Sequence, residues 1–321
     1  MGEEIQGGEE DTGWRKAIPE SRDRFQSRVL VGVVGTLMFL EAFSILRQAC
    51  HLWDTGKTDE LPPIATIIGI SIVFALLVFA LRAATLAGAL SGGVICLILL
   101  SGTSSPQYTV MRSGLTPLAL LFVFTFLSTR SGRRKKAEAG LAEARKGRSA
   151  AQVIANLATA ALSVSSLGLV LVTHDQVFSG NMYDKIWIYP ATMLMCIAAL
   201  VEATADTVSS EIGQAFGGVP VMMVGFRRVA PGTDGAVTLV GSCAGIAAGG
   251  VVALGGAWAM HLSATVMLIG LGAGIFGLFF DSLLGATVER RGWMGNDLVN
   301  FTSTLFAALL ALVAYRLFAL L

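Results

Sequence analysis

The chain has 321 residues, 54% of them hydrophobic and only 14% charged, with 37 glycines and a mean hydropathy of +0.69. Soluble domains carry about 25% charged residues and do not sustain repeated apolar runs of about 18 or more, so a soluble enzyme, a disordered chain and a disulfide scaffold are excluded. The 23 Lys and Arg nearly balance 22 Asp and Glu; net charge points to no nucleic-acid partner, and an all-α, polytopic helical membrane protein remains.

Residues 1–28 are polar, and no apolar run follows Met1 as a cleavable signal would require. Gly2 makes no myristoylation signal, because Gln6 stands where Ser or Thr is needed. Apolar runs then cover 29–46, 64–81, 84–101, 115–129, 151–173, 186–205, 235–257, 261–284 and 298–320. They predict nine membrane-spanning helices, with 115–129 short for about 30 Å of hydrocarbon and open to being tilted or re-entrant. Pro62 and Pro63 precede the second run, while Pro117 and Pro190 fall in the expected first turns of the fourth and sixth.

With the N-terminus in the cytoplasm, 18 of the 23 basic residues face that side, eight of them between 130 and 150. Arg47, Lys57, Arg112, Lys185 and Arg316 face the other, so the bias predicts N-in, C-out. Polar segments 130–150, 206–234 and 285–297 then share the cytoplasmic face. The basic segment 130–150 reads as a helix extending from the membrane. Its cations either anchor among anionic headgroups or help to hold a phosphorylated substrate. Cys50, Cys96, Cys196 and Cys243 sit singly, without CxxC or clustered histidines, so neither a structural metal nor a disulfide framework is expected.

Acids inside apolar helices are costly and mark polar cavities. In ALVEATADTVSSEIG, Glu202, Asp206, Ser209 and Gly213 recur at spacings of four, three and four on one helical face, with Glu211 about a quarter-turn away. Two carboxylates one turn apart can share Mg²⁺, while Ser209 or Ser210 offers a further oxygen. GLFFDSLLGATVER places Asp281, Gly285 and Glu289 four apart, with Asp281 at a helix end and Glu289 expected in the first turn outside the membrane. GNDLVNFTST puts Asn296 and Asn300 four apart beside Asp297. Asn296 or Asp297 reads equally well as an N-cap, and Asn300 as an amide for a base or ribose. Between them, PGTDG forms a tight turn before an apolar helix, whose free N–H groups could cradle phosphate while Arg227 and Arg228 neutralise it or serve only as positive-inside charges. Gly88 and Gly92, like Gly245 and Gly249, have the spacing of close helix contacts. Glu41, inside the first run, calls for a partner that sequence does not name.

The ordered set EATADTVSSEIG, PGTDGAVTLVG, DSLLGATVER and NDLVNFTST resembles the integral-membrane phytyl-phosphate kinase family, long catalogued as a domain of unknown function, from about Leu81 to the C-terminus. Dolichol kinases and CDP-lipid synthases are neighbouring membrane families. The resemblance implies residues 29–81 as two additional helices and 82–321 as a membrane-embedded catalytic domain. It implies a transferase that uses a nucleoside triphosphate, preferentially CTP, to convert a prenyl monophosphate into its diphosphate. Carried over, Glu202, Asp206, Asp281 and Glu289 would hold Mg²⁺, with Asp206, Asp281 and Glu211 as catalytic acids. Ser209, Ser210, Gly232, Thr233, Gly235, Thr238, Ser282, Asn296, Asp297 and Asn300 would bind nucleotide and acceptor, with Arg227 and Arg228, read from the residues alone, added to neutralise phosphate. Two departures, Asp234 in place of a small hydroxyl and Glu289 in place of glutamine, bear on nucleotide or acceptor preference.

The expected partners are membrane lipid, prenyl monophosphate and nucleoside triphosphate, with homo-oligomerisation open. The expected location is the bacterial inner membrane with the active site facing the cytoplasm. Two rivals stand beside this reading: a CTP:lipid-phosphate cytidylyltransferase, and an ion-coupled transporter with Glu202, Asp206 and Asp281 as coupling acids.

Overall fold

A computed structural model describes residues 18–56, 61–105, 108–138, 140–141, 147–173 and 182–319. Most of the polar N-terminal segment, Lys57, Arg145, Lys146 and the loop from His174 lie outside the described residues, as does the side chain of Lys185. The described chain is almost wholly helical: α1 (Glu20–Asp54), α2 (Leu61–Ala80), α3 (Leu86–Thr103), α4 (Leu115–Arg130), α5 (Arg133–Glu138), α6 (Ala150–Ser163), α7 (Ser166–Thr173), α8 (Met182–Phe216), α9 (Leu239–Ala259), α10 (Ala264–Leu284) and α11 (Asn296–Ala319). A two-residue antiparallel pair, β1 (Val221–Met222) with β2 (Ala236–Val237), ties together the connection between α8 and α9.

Each of the nine expected apolar runs is helical, but the span count is corrected. Among the described residues, seven helices are long and apolar enough to cross a membrane, or eight if α6 and α7 form one broken span. At 16 residues, α4 is too short by the same measure. The expected continuous helix over 151–173 instead bends by 60°. Ser163 and Ser165 turn their hydroxyls back onto the carbonyls of Thr159 and Leu162, each at 2.7 Å. Such back-bonding competes with the helical ladder and bends it. Pro190 lies inside α8 rather than in its first turn.

The central helix is α8, packed by α9, α10, α11, α4 and α6, and its stretch from Ala191 to Ala205 is buried. In lipid there is little hydrophobic drive between helices, so close backbone approach and packing must hold them together. Glycines on α9 supply that approach. A Cβ on Gly245 would collide with the Ala205 carbonyl, one on Gly241 with the Ser209 carbonyl, and one on Gly249 would crowd Val201 at 3.1 Å. Gly88 of α3 similarly admits the backbone of Arg148 and Ser149, whereas Gly92 meets only Phe74 at an ordinary 3.8 Å. Large apolar side chains such as Leu76, Phe276 and Leu317 are exposed on the outer faces, the arrangement a bilayer solvates.

The short helix α5 carries the basic segment only a turn and a half before the chain turns back. Arg148 then pairs with the α2–α3 turn: its N–H donates to the Ala83 carbonyl at 2.9 Å, and its own carbonyl accepts from the Thr85 N–H at 3.0 Å. The next residue opens α6 through a capping box. Ser149 Oγ accepts from the Gln152 N–H at 3.2 Å, and Gln152 Oε1 from the Ser149 N–H at 2.8 Å. The chain is thus a multi-pass membrane protein whose loops converge at the end of the bundle where α6, α9 and α11 begin and α8 and α10 finish.

Candidate active site

That polar end contains a cavity of about 290 Å³ in which residues from the four sequence motifs meet. Asp206, Ser209, Ser210 and Glu211 reach it from α8, and Asp281 and Ser282 from α10. Gly232, Thr233 and Gly235 border it from the PGTDG turn, Thr238 from the start of α9, and Asn296 and Asn300 from α11. Helical spacing explains the α8 contribution, since residues three and four apart share a face.

The end of α10 departs from that simple spacing. Residues Gly285–Glu289 form a π turn, whose extra residue shifts the helical register. Glu289, expected just outside the membrane, is consequently buried against the cavity. The same turn receives the PGTDG segment: a Cβ on Gly235 would collide with the backbone of Ala286, and one on Gly285 would come within 2.7 Å of the Gly235 nitrogen. Gly232 and Gly235 have φ of +85° and +73°, a region open to glycine at little cost. Leu141 covers the turn where a side chain on Gly232 would project.

Electrostatically the cavity is acidic with one principal counter-charge. The carboxylates of Asp206, Glu202 and Glu289 all act on Asp281, and the Arg148 guanidinium faces Asp206 and lies 3.4 Å from the Thr207 hydroxyl. Ser303 donates to Asp281 Oδ2 at 3.1 Å. Glu202 lies deeper, 1% exposed, and its Oε2 has no hydrogen-bond partner among the described residues. Gly277 leaves the space for it, because a Cβ there would come within 2.7 Å of the Glu202 side chain. Glu211 is differently placed: its carboxylate is ion-paired with buried Lys136, which also donates to the Thr129 carbonyl at 3.0 Å.

The donor set has the chemistry of a divalent-metal site. Carboxylates and hydroxyls are the hard oxygen ligands that Mg²⁺ takes, and an unpartnered buried carboxylate oxygen is the kind of atom a cation would satisfy. Among the described residues no three His, Cys, Asp or Glu side chains form a ready metal cage. Mg²⁺ commonly uses one or two carboxylates and completes its shell with water and substrate phosphates, so the residues fit a metal that enters with a polyphosphate.

Three expected site residues lie elsewhere. Arg227 and Arg228 are exposed beside Phe226, turned away as the β1–β2 pairing closes. Asp297 accepts a hydrogen bond from Ser27 of α1 at 2.6 Å and so helps to dock that helix. Thr238 both borders the cavity and caps α9, accepting from the Gly241 N–H at 3.1 Å.

Sequence reasoning did not single out Gln152, Asn156, Thr207 or Ser242, which also line the cavity, and did not separate Arg148 from the other cations of its segment. Gln152 and Asn156 carried a readable signal, two amides four apart within a mostly apolar α6. Arg148 carried none, being one of eight cations between 130 and 150.

Two of three curated relatives are named as membrane proteins. An uncharacterized membrane protein of Methanocaldococcus jannaschii is 34% identical over 37% of this chain and 50% of its own length, so the match spans half of that relative. An uncharacterized membrane protein of Synechocystis is 28% identical over 63% of this chain and 73% of its own. Protein VTE6, chloroplastic, of Arabidopsis thaliana is 26% identical over 85% and 75% respectively. No solved structure matches. The model of the family described as integral membrane protein DUF92 matches residues 69–308, a stretch that carries all four motifs and every cavity residue named above, and the chain belongs to that family.

Proposed function

We propose that the protein is a prenyl-phosphate kinase that transfers the γ-phosphoryl group of a nucleoside triphosphate, CTP by the family resemblance, to a prenyl monophosphate such as phytyl phosphate. The carrying observation is the convergence of Asp206, Asp281 and Arg148, with hydroxyls and two amide-bearing helices, on one cavity at one end of an apolar bundle. Such a site suits anionic, polar reactants delivered to a membrane surface. The basic-residue bias supports a cytoplasmic position for that end, where nucleotide is available.

In the transfer, an oxygen of the acceptor phosphate bonds to the γ-phosphorus while the bond from that phosphorus to the β,γ-bridging oxygen breaks. The nucleoside diphosphate leaves with the electron pair, and the prenyl diphosphate forms. An acceptor dianion carries no proton that must be removed, so positioning and charge compensation supply most of the catalysis. The chemistry that Mg²⁺ would supply when bound is neutralisation of the negative charge on the transferring phosphoryl group.

Asp206 and Asp281 would hold that cation, with Glu202 and Glu289 behind them. Arg148 would face phosphoryl oxygens, and the amides of the PGTDG turn with Ser209, Ser210, Thr233 and Ser282 would orient them. Asn296 and Asn300 offer amides to the base or ribose. Glu211, held by Lys136, braces α8 against the basic segment.

Product analysis tests the reading. Purified protein with Mg²⁺, CTP and phytyl monophosphate should yield CDP and phytyl diphosphate. Release of pyrophosphate with a CDP-linked lipid would instead establish attack at the α-phosphorus, the cytidylyltransferase chemistry.

A further inference from the structure

A second cavity, of about 440 Å³, lies beside the first, and no step of the chemistry above uses it. Its volume falls within the roughly 300–1,000 Å³ of small-molecule sites. The cavity is two-faced. Its depth is apolar, formed by Phe74 and Val78 of α2, Leu121 and Phe122 of α4, Leu157 of α6 and Ala203 of α8. Phe74 and Phe122 meet edge-on at 5.9 Å, bridging α2 and α4. Five cations border it: Arg82, Arg130 and Arg133 are exposed at its mouth, Arg148 is half-buried and Lys136 is buried.

The cations are not equivalent. Lys136 is neutralised by Glu211, and Arg130 sits over the Phe126 ring at 3.5 Å while donating to the Leu81 carbonyl at 3.1 Å. Arg82 and Arg133 are exposed, and no side-chain partner engages either among the described residues. Arg82 also has φ of 53°, a left-handed conformation that a non-glycine residue adopts at a cost. Arg148 and Asn156 line both cavities and form the wall between them. The backbone bridge from Arg148 to Ala84 holds that wall in place.

We propose that this second cavity is the acceptor site: it binds a lipid with a phosphomonoester head and a slender apolar chain. The head sits between Arg82 and Arg133, and the chain runs into the slot past Phe74 and Phe122. Charge complementarity selects an anion, and the apolar depth selects a lipid over free phosphate. Arg148 passes the head to the nucleotide cavity, so one guanidinium serves both reactants. The prenyl character of the chain rests on the kinase reading, whereas the anionic-lipid chemistry rests on the cavity alone.

The test is retention of labelled phytyl monophosphate by the purified full chain in detergent, without nucleotide. Saturable binding is expected, about tenfold or more weaker for phytol and undiminished by excess inorganic phosphate. Arg82→Ala with Arg133→Ala should weaken it about tenfold without threatening the fold, since both side chains are exposed. Gly92→Leu should obstruct the slot and raise the KM for acceptor while leaving that for CTP unchanged. Equal binding of dioleoyl phosphatidic acid, reduced to the same extent by the arginine changes, would overturn the proposal in favour of general headgroup anchoring. Label transfer with unchanged acceptor KM in both variants would also overturn it and leave the kinase reading standing. Specific binding without any label transfer would support the acceptor cavity and sink the kinase reading.

Discussion

The two ends of the helical bundle treat their polar residues in opposite ways. At the end away from the cavities, Arg112 lies over the Trp258 ring at 4.1 Å and donates to the Trp258 carbonyl at 2.6 Å. Arg316 donates to the Val172 carbonyl at 3.0 Å, and Glu41 accepts from both the N–H and the hydroxyl of Ser166. These groups close helix ends and are satisfied by doing so. Among the described residues, the other end leaves a buried Glu202 oxygen without a partner, gathers carboxylates around Asp281, and holds at a cavity mouth two arginines that no side chain engages. Buried polar groups in a stable bundle are normally satisfied. Ser104 Oγ at the far end is likewise buried without a partner among the described residues, so what marks the cavity end as arranged for ligands is its gathered carboxylates and exposed arginines.

Changing residues at each of the two ends should give the widest differences. Asp206→Asn or Asp281→Asn is expected to lower prenyl-phosphate phosphorylation by about 100-fold or more, the scale for losing one electrostatic contact made in a transition state. Glu41→Gln should change the same rate less than about twofold. A steady-state assay across the three variants breaks the comparison if Glu41→Gln costs as much as either aspartate change.

Lys136→Ala tests a polar contact at the active end whose role is structural. It should destabilise the protein by about 3–5 kcal/mol, because the remaining Glu211 charge stays buried without its partner. Combining Lys136→Met with Glu211→Gln should recover most of the loss in thermal unfolding measured in detergent. Recovery of stability together with loss of activity would move Glu211 from brace to participant in the chemistry.

A smaller effect is expected where α8 and α9 touch. Gly245→Ala should cost about 1–3 kcal/mol by overpacking against the Ala205 carbonyl. Gly250→Ala on the same helix, where a Cβ meets nothing within 4 Å, should change the unfolding midpoint little. The smallest change belongs to the far end. Arg112→Ala should lose about 0.5–1 kcal/mol, the range of an exposed cation–π contact, and leave turnover unaffected.

Much of this arrangement is legible in the sequence because lipid makes polar residues conspicuous. Asp206 and Asp281 stand out at the ends of apolar runs, and their helical spacing places their neighbours on the same faces. All nine apolar runs are helical for the same reason. Most of what escapes is set by contacts distant along the chain. Arg148 becomes distinct from its neighbouring cations only through the bridge to Ala84. Lys136 finds Glu211 75 positions away. Arg227 and Arg228 adjoin the PGTDG turn in sequence, yet strand pairing turns them outward. The bend after Ser163 is local in place and in cause, whereas the π turn at Gly285–Glu289 meets the Gly235 turn from a distant part of the chain. Serine back-bonding and the fit of the Gly235 turn decide them, and neither follows from hydrophobic period alone.

The most direct measurement is transfer of label from γ-labelled CTP to phytyl monophosphate, comparing the intact protein with the Asp206→Asn, Asp281→Asn double variant under saturating Mg²⁺. The account predicts labelled phytyl diphosphate from the intact protein and none above background from a double variant that still folds and still retains the acceptor. Label transfer by that variant at the rate of the intact protein would contradict the placement of the chemistry at this cavity.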